Sequence, residues 1–339
     1  IVFGDWSSDV CSSDLAERFE DAYKILLRTN PFPSVCGRVC DHKCQSKCRR
    51  GKMDEPIAIK FLKRFITDNA PRPKIEAIPV TRNEKIAVVG AGPAGLTAAR
   101  DLAKRGYKIT VFEELSQPGG MLRWAIPSYR LPRNILDAEI DDIRALGVEI
   151  RCNTRVGKDI SFAKVDEDFD YIYLAPGAHK SQPMGIVGED MQGVYGGVEF
   201  LRDFNNTEAA WMNGEKSLGA RVAVIGGGNS AIDAARCAAR MGAEVTIVYR
   251  RLRQDMPAAV EEIEAAEHEG IKIEYLVAPT KVVGTNGKVT GICLEQMKLG
   301  DFDRSGRKRP EPIEGSEYTL AVDSVDRKST RLNSSHRIR

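Results

Sequence analysis

Residues 85–95 read KIAVVGAGPAG, and this stretch decides the fold class. Its β-branched run predicts a buried strand, the small residues from Gly90 onward predict a tight turn, and Leu96 to Arg105 predicts a helix. A second strand is predicted at 108–112, which completes the order strand, turn, helix, strand. Because glycine has no side chain, the backbone of such a turn at a helix N-terminus can come close to a pyrophosphate. Glu113 follows 23 residues after Gly90, where a carboxylate can accept hydrogen bonds from a ribose hydroxyl.

The same pattern returns at residues 221–231, RVAVIGGGNSA, and aligns with the first copy without gaps. In the second copy Tyr249 occupies the position of Glu113, and Arg250 and Arg251 follow it. A carboxylate would repel a 2′-phosphate, whereas arginine can bind one through two hydrogen bonds. The second copy therefore favours NADP(H) over NAD(H). The alternative is that both arginines are solvated surface residues.

Four cysteines recur at a four-residue step between residues 36 and 48. On a helical backbone each step rotates by about 40°, so all four thiols would face the same way. Structural zinc more often uses two separated pairs, and disulfides are rare in a reducing compartment, so the pattern favours an iron-sulfur cluster. Zinc and ordinary thiols are the alternatives. The candidate metal ligands are Cys36, Cys40, Cys44 and Cys48.

The other cysteines and the histidines indicate what chemistry is not expected. Cys152, Cys237 and Cys293 stand apart and are expected to be small buried side chains. No cysteine pair accompanies either glycine-rich turn, so a dithiol relay of the disulfide-reductase kind lacks its residues. The histidines are scattered, and no catalytic triad or histidine metal site can be assembled from them.

The amino-acid composition excludes several broad classes of protein. The chain has 339 residues, 42% of them hydrophobic and 29% charged, which is typical of a soluble globular protein with about two cores. The net charge of +2 gives no electrostatic reason to expect nucleic-acid binding. No apolar run approaches the ~18 residues that span a bilayer, and no secretory signal is recognisable. We expect a cytoplasmic protein with neither nucleic acid nor membrane as a partner.

We predict that both ends of the sequence are translated from DNA that does not belong to the gene. Residues 1–14 can be back-translated into a sequence whose reverse complement encodes residues 326–339. A single inverted DNA repeat therefore accounts for both ends, and it resembles a sequencing-library adapter. We expect residues 1–15 and 326–339 to be translated adapter and exclude them from the fold prediction.

Eight further short motifs accompany the two glycine-rich turns. They are Cys-Gly-Arg-Val-Cys at 36–40, Arg-Arg-Gly at 49–51, Asp-Glu-Pro at 54–56, Gly-Gly-Met-Leu-Arg at 119–123, Ile-Pro at 126–127, Arg-Leu-Pro at 130–132, Gly-Glu-Asp at 188–190 and Met-Pro-Ala at 256–258. With them, residues 16–325 resemble the small (beta) subunit of NADPH-dependent glutamate synthase and its relatives. Those relatives include the N-terminal part of dihydropyrimidine dehydrogenase and the large subunit of NADPH-ferredoxin oxidoreductases.

This resemblance implies an α/β fold with two Rossmann-like nucleotide-binding domains, as in flavin disulfide reductases, preceded by a small all-α iron-sulfur domain. The implied domains are a helical iron-sulfur domain at 16–80, an FAD-binding domain at 84–205 and an NADPH-binding domain at 215–325. In the family, cysteines upstream of Ala16 help to ligate two 4Fe-4S clusters, and a Gly-Asp segment downstream of Val325 closes over the flavin.

The implied function is electron input. NADPH reduces FAD, and 4Fe-4S clusters pass single electrons to a larger subunit that is catalytic, as in glutamate synthase, or linked to ferredoxin. No catalytic side chain is expected, because hydride transfer between stacked rings depends on positioning. A stand-alone flavin reductase without a cluster and a non-catalytic assembly module are the alternatives.

The resemblance also implies which residues hold the two nucleotides. Those expected at FAD are Gly90, Ala91, Gly92, Pro93, Ala94, Gly95, Glu113, Gly120, Met121, Arg130, Val156, Ala175 and Gly177. Those expected at NADPH are Gly226, Gly228, Asn229, Ser230, Ala231, Arg250 and Arg251.

Overall fold

The computed structural model describes residues 18–302 and 306–327. These residues form two compact units, the first from 18–123 and 128–177 and the second from 124–127 and 178–327. Within the described ranges, none of the helices combines the length and the apolar character needed to cross a bilayer. The predicted adapter segments, apart from residues 326 and 327, lie outside the described residues.

The first unit begins with short helices that carry the cysteine segment. They are α1 (Phe19–Thr29), α2 (Pro33–Val39), α3 (Lys43–Ser46) and α4 (Ile59–Asn69), with a 3-10 turn at Arg50–Lys52. Ala22, Tyr23 and Leu26 of α1 form a small buried core with Ile66 of α4. Helix α4 lies against α2 so closely that a Cβ on Gly37 would be 2.9 Å from the backbone nitrogen of Arg64.

The rest of the first unit is a parallel sheet in the order β3-β2-β1-β4. Its strands are β1 (Lys85–Val89), β2 (Lys108–Phe112), β3 (Glu149–Arg151) and β4 (Tyr171–Leu174). Its helices are α5 (Pro93–Ala103), α6 (Met121–Trp124), α7 (Arg133–Ala145) and α8 (Phe162–Asp168). The predicted order strand, turn, helix, strand is therefore present, with α5 joining two adjacent parallel strands.

The second unit repeats this arrangement in a five-stranded parallel sheet, β5-β13-β6-β7-β8. Its strands are β5 (Val194–Gly196), β6 (Arg221–Ile225), β7 (Glu244–Tyr249), β8 (Lys272–Tyr275) and β13 (Ser324–Arg327). Its helices are α9 (Gly197–Asn206), α10 (Glu208–Met212), α11 (Asn229–Arg240) and α12 (Val260–His268), with a 3-10 turn at Arg253–Asp255.

A second, antiparallel sheet belongs to the same unit. Strand β10 pairs with β9, β11 and β12. The new strands are β9 (Val277–Thr285), β10 (Lys288–Phe302), β11 (Lys308–Pro312) and β12 (Tyr318–Leu320). Val282, Ile292 and Leu294 of this sheet share one buried cluster with Ala223 and Val325 of the parallel sheet, so the two sheets enclose a common core.

The boundary between the units differs from the one predicted at residue 205. The longer segment of the second unit begins at Ala178 and contains β5, which pairs with β13 in the second parallel sheet. The ring of Phe200 on α9 contacts that of Trp211 on α10 at 5.6 Å between centroids. Residues 178–205 therefore belong to the second sheet by their pairing and packing. The predicted FAD-binding domain, 84–205, extends beyond the first unit.

Strand β13 continues two residues beyond Val325, into the predicted adapter. Asp326 pairs with Val224 on one side and Tyr195 on the other, and its side chain is buried. Its Oδ2 has no hydrogen-bond partner among the described residues, and burial raises the pKa of this carboxyl well above its usual value. A central parallel strand favours an apolar side chain at such a position. The adapter boundary itself stays a prediction.

Candidate functional site

The first glycine-rich turn is shaped by contacts that exclude a Cβ. Gly90 has a φ of +103°, and a side chain there would collide with the carbonyl oxygen of Ala175. A side chain on Gly95 would collide with the carbonyl oxygen of Gly90. The turn therefore needs glycine at both positions for steric reasons. Gly92 caps α5, and Pro93 and Ala94 are exposed in its first turn.

Glu113 lies at this turn, as the sequence predicts. Its Oε2 accepts a hydrogen bond from the amide of Ala91 at 2.8 Å, and its Oε1 accepts one from the amide of Leu115 at 3.0 Å. The side chain is 5% exposed. Because each carboxylate oxygen can accept more than one hydrogen bond, Glu113 can hold the turn and still bind a ribose hydroxyl.

A second loop, residues 118–121, packs on the turn. The amide of Gly119 donates to the carbonyl of Ala91 at 2.8 Å, and a Cβ on Gly120 would lie 2.6 Å from the Cα of Gly92. The buried Arg123 fixes this loop, since its Nε donates to the carbonyl of Pro118 at 2.6 Å. Sequence analysis did not single out this arginine, although it ends the Gly-Gly-Met-Leu-Arg motif.

The other residues expected at FAD occupy different surroundings. The amide of Ala175 donates to the carbonyl of Val89 at 2.8 Å, which places the end of β4 beside Gly90. Gly177 has a φ of +72° in the turn that follows. Val156 packs on the buried cluster that contains Ala87. Met121 begins α6, and Arg130 lies half-buried in the segment before α7.

The second glycine-rich turn is covered by the Met-Pro-Ala motif. The amide of Ala258 donates to the carbonyl of Gly227 at 3.1 Å. The side-chain oxygen of Asn229 accepts a hydrogen bond from the amide of Ala259 at 3.0 Å. Asn229 thereby holds the Met-Pro-Ala segment over the turn. Gly226 has a φ of +128°, Gly228 caps α11, and Ser230 and Ala231 are half-buried in its first turn.

The two arginines after β7 have different environments. Arg250 is exposed, whereas Arg251 is only 5% exposed. The Nε of Arg251 donates to the carbonyl of Lys308 at 2.9 Å, and its side chain also hydrogen bonds the phenol of Tyr249. The sequence predicts that Arg250 and Arg251 both bind the phosphate. In the structure, the buried Arg251 makes its hydrogen bonds within the protein.

The four cysteines do not lie on one helix, so the helical backbone on which all four thiols would face one way is not present. Cys36 is in α2, which ends at Val39, and Cys40 follows it in an extended conformation. Cys44 is in α3, and Cys48 is in the turn beyond it. Among the residues described, no three histidine, cysteine or acidic side chains are placed together to hold a metal ion.

The chemistry of these thiols nevertheless fits thiolate ligation, since all four are free cysteines. Burial raises the pKa of Cys36, whose Sγ lies 3.8 Å from the Oδ1 of Asn30. Hydrogen bonds from the backbone of Ile57 and Arg50 lower the pKa of Cys48, which favours its thiolate. Of the cysteines expected to be buried, Cys237 is, whereas Cys152 and Cys293 are partly exposed.

Helix α2, which contains Cys36, is hydrogen bonded to helix α7 of the first unit. Glu139, 1% exposed, accepts hydrogen bonds from the amides of Ser34 at 2.5 Å and Val35 at 3.2 Å. Burial raises the pKa of this carboxyl to about 7. Arg72 and Asp142 form an ion pair at 2.8 Å nearby. Sequence analysis missed Glu139, because its partners are more than 100 positions away.

Comparison with known proteins agrees with this geometry. Residues 84–304 match the family described as pyridine nucleotide-disulphide oxidoreductase. The chain belongs to this family. Residues 11–75 match the domain described as dihydropyrimidine dehydrogenase domain II, 4Fe-4S cluster. The predicted α/β class with a preceding iron-sulfur domain is therefore confirmed.

Among curated relatives, the NADPH-Fe(3+) oxidoreductase subunit beta of Geobacter sulfurreducens is 46% identical, over 91% of this chain and 46% of that protein. The NADP(+)-dependent formate dehydrogenase subunit beta of Moorella thermoacetica is 45% identical, over 91% and 47%. The chain thus spans about half the length of these relatives. The small chain of NADPH glutamate synthase from Escherichia coli K12 is 34% identical over 91% and 68%, which confirms the family resemblance.

One solved structure shows the same fold. FprA of Mycobacterium tuberculosis in complex with NADPH superposes with a TM-score of 0.61 at 21% identity, over 73% of this chain and 70% of that chain. At this identity the likeness concerns the fold alone.

Proposed function

We propose that the chain is part of an electron-input subunit that oxidises NADPH at the second turn and holds FAD at the first. Electrons would then leave singly through iron-sulfur centres to a larger subunit. The observation that carries the proposal is the difference between the two turns. Glu113 is hydrogen bonded to the first turn, whereas the exposed Arg250 follows the corresponding strand at the second.

Each glycine-rich turn has its own set of proposed binding residues, for FAD at the first turn and for NADPH at the second. Gly90 and Gly95 allow the tight turn, Gly92 leaves room for a pyrophosphate at the N-terminus of α5, and Glu113 accepts a ribose hydroxyl. The loop that contains Gly120 and Met121 borders this site, as do Ala175 and Gly177 after β4. We propose Arg130 and Val156 as further members of this site.

At the second turn, Gly226, Gly228, Ser230 and Ala231 take the same positions for the pyrophosphate of NADPH, and Asn229 holds the covering segment. Arg250 binds the 2′-phosphate, and the neighbouring Arg251 is held by the carbonyl of Lys308. When bound, FAD accepts a hydride and 4Fe-4S centres carry single electrons. The protein groups orient the rings and exclude water, so no side chain has to transfer a proton.

Cys36, Cys40, Cys44 and Cys48 are the proposed thiolate ligands. The printed names of the relatives support a partner subunit, since they are subunits or chains of an Fe(3+) oxidoreductase, a formate dehydrogenase and a glutamate synthase. These names differ in the final reaction and agree on NADP(H). We therefore propose a larger catalytic or electron-accepting subunit as the partner and the cytoplasm as the location.

The test is the visible absorbance of the protein after anaerobic reconstitution with FAD, iron and sulfide. We expect flavin bands together with a broad iron-sulfur band, both bleached by NADPH. A variant with the four proposed ligands changed to serine should keep the flavin bands and lose the broad band. Flavin bleaching without a broad band in the unchanged chain would indicate a flavin reductase without a cluster, and no bleaching would contradict electron input.

A further inference from the structure

The hairpin formed by β10 and β11 is hydrogen bonded to Arg251, in the segment that follows β7. Strand β11 runs antiparallel to β10, with Lys308 opposite Phe302. The carbonyl of Lys308 accepts the hydrogen bond from Arg251 at 2.9 Å, across 57 positions in the sequence. The hairpin therefore lies next to the segment that follows β7. In a dinucleotide-binding fold this segment is where the 2′ substituent of the adenosine ribose is recognised.

Tyr249 connects this contact to the second glycine-rich turn. Its side chain is 6% exposed, and a Cβ on Gly227 would lie 2.7 Å from its ring. Its hydroxyl donates to the carbonyl of Asp255 at 2.6 Å and is also hydrogen bonded to Arg251. The turn, the end of β7 and the hairpin thus form one continuous set of contacts.

Arg307 directly precedes Lys308, whose carbonyl contacts Arg251, so its backbone adjoins this contact. It is partly buried, although both of its sequence neighbours, Gly306 and Lys308, are exposed. Burial raises the pKa of the Tyr249 phenol, and the positive charges of Arg251 and Arg307 oppose that rise. The charge of Arg307 therefore acts on Tyr249, and the neighbouring carbonyl of Lys308 places this part of the hairpin beside Arg251.

We propose that Arg307 is a specificity-determining residue that binds the 2′-phosphate of NADPH together with Arg250. This rests on the proposed function of the second turn. Arg251 is buried and bonds the carbonyl of Lys308 and the phenol of Tyr249, so the hairpin beside it can supply a second guanidinium for the phosphate. A phosphate with two negative charges is bound best by more than one arginine, each of which can offer two parallel N–H groups.

The test is calorimetric binding of two nucleotides, 2′,5′-ADP and 5′-AMP, to the full chain. These probes share the adenosine and the 5′-phosphate and differ only in the 2′-phosphate, and neither requires flavin or a cluster. The variants are Arg307→Ala, Arg307→Lys and Arg309→Ala. Arg309 is the matched control, because it is exposed, carries the same charge and lies two residues away.

We expect Arg307→Ala to raise the Kd for 2′,5′-ADP about tenfold and to leave the Kd for 5′-AMP unchanged, which also shows that the variant is folded. Arg307→Lys should recover part of the loss, and Arg309→Ala should change neither Kd. An equal effect of Arg307→Ala and Arg309→Ala, or an equal loss for both nucleotides, would overturn the inference. If the unchanged chain does not prefer 2′,5′-ADP, the proposed NADPH site fails as well.

Discussion

Arg250 and Arg251 are adjacent in the sequence and differ in what they contact. Arg250 is exposed after β7, whereas Arg251 is buried and bonds the carbonyl of Lys308. We expect Arg250→Glu to raise the KM for NADPH at least tenfold more than the KM for NADH. The physical reason is that a hydrogen bond between arginine and a phosphate contributes about 1.5 to 3 kcal/mol. Steady-state reduction of ferricyanide with each nucleotide measures both constants.

The comparison variant is Arg251→Met, which keeps the length of the side chain and removes its hydrogen bonds. Here we expect a lower thermal midpoint and similar losses for NADPH and NADH, because the variant disturbs Tyr249 and the hairpin together. If Arg250→Glu weakens both nucleotides equally, the exposed arginine does not recognise the 2′-phosphate.

Helices α2 and α7 meet through Glu139, and this contact predicts a pH dependence of stability. Burial raises the pKa of Glu139 from 4.5 to about 7, so the folded protein binds this proton more tightly than the unfolded chain does. The free energy of unfolding should therefore fall as the pH rises from about 4.5 through 7. The raised pKa corresponds to a change in the free energy of unfolding of at most about 3 to 4 kcal/mol.

Urea unfolding at pH 5 and pH 7.5 checks this expectation in the unchanged chain and in Glu139→Gln. The variant should show a smaller difference between the two pH values, because its side chain does not titrate. Asp141→Asn on the same helix is the control, since Asp141 is exposed and pairs with Arg144. An unchanged pH difference in Glu139→Gln would show that Glu139 is not the group responsible.

The contact between α2 and α4 depends on a glycine. A Cβ at Gly37 would lie 2.9 Å from the backbone of Arg64, and backbone atoms cannot move aside as a flexible side chain can. We expect Gly37→Ala to lower the free energy of unfolding by about 1 to 3 kcal/mol and to reduce the iron retained after reconstitution. Gly51→Ala is the control, because its Cβ would lie 3.5 Å from Pro56, an ordinary contact. Equal stability of the two variants would contradict the close packing of α2 on α4.

At the scale of the whole molecule, the number of thiols limits the iron content. The cysteine segment supplies four thiols, enough for one 4Fe-4S centre with four thiolate ligands. We expect at most about four iron atoms per reconstituted chain. We also expect a chelator to remove them readily, because Cys44 is exposed and Cys36, Cys40 and Cys48 are only partly buried. Iron and sulfide analysis before and after chelation measures both quantities, and about eight tightly held iron atoms would contradict the limit.

The sequence by itself determined the two strand-turn-helix units and the difference between them. Alternating apolar residues and turn glycines act over a few neighbouring positions, so the residues around Gly90 and Gly226 could be interpreted without the rest of the chain. The change from Glu113 to Tyr249 and Arg250 is equally local, because it follows from alignment of the two copies. The cysteine spacing likewise indicated the chemistry of the first domain and not its geometry.

Only the tertiary structure decided which distant residues meet. Lys308 reaches Arg251 because β10 and β11 fold back on the segment after β7, and Glu139 reaches Ser34 because α7 packs on α2. The longer segment of the second unit begins at Ala178, and its strand β5 pairs with a strand more than 100 residues later. Apolar periodicity indicates which face of an element is buried and not which element covers it. These contacts therefore depend on the packing of whole strands and helices, which the local sequence does not specify.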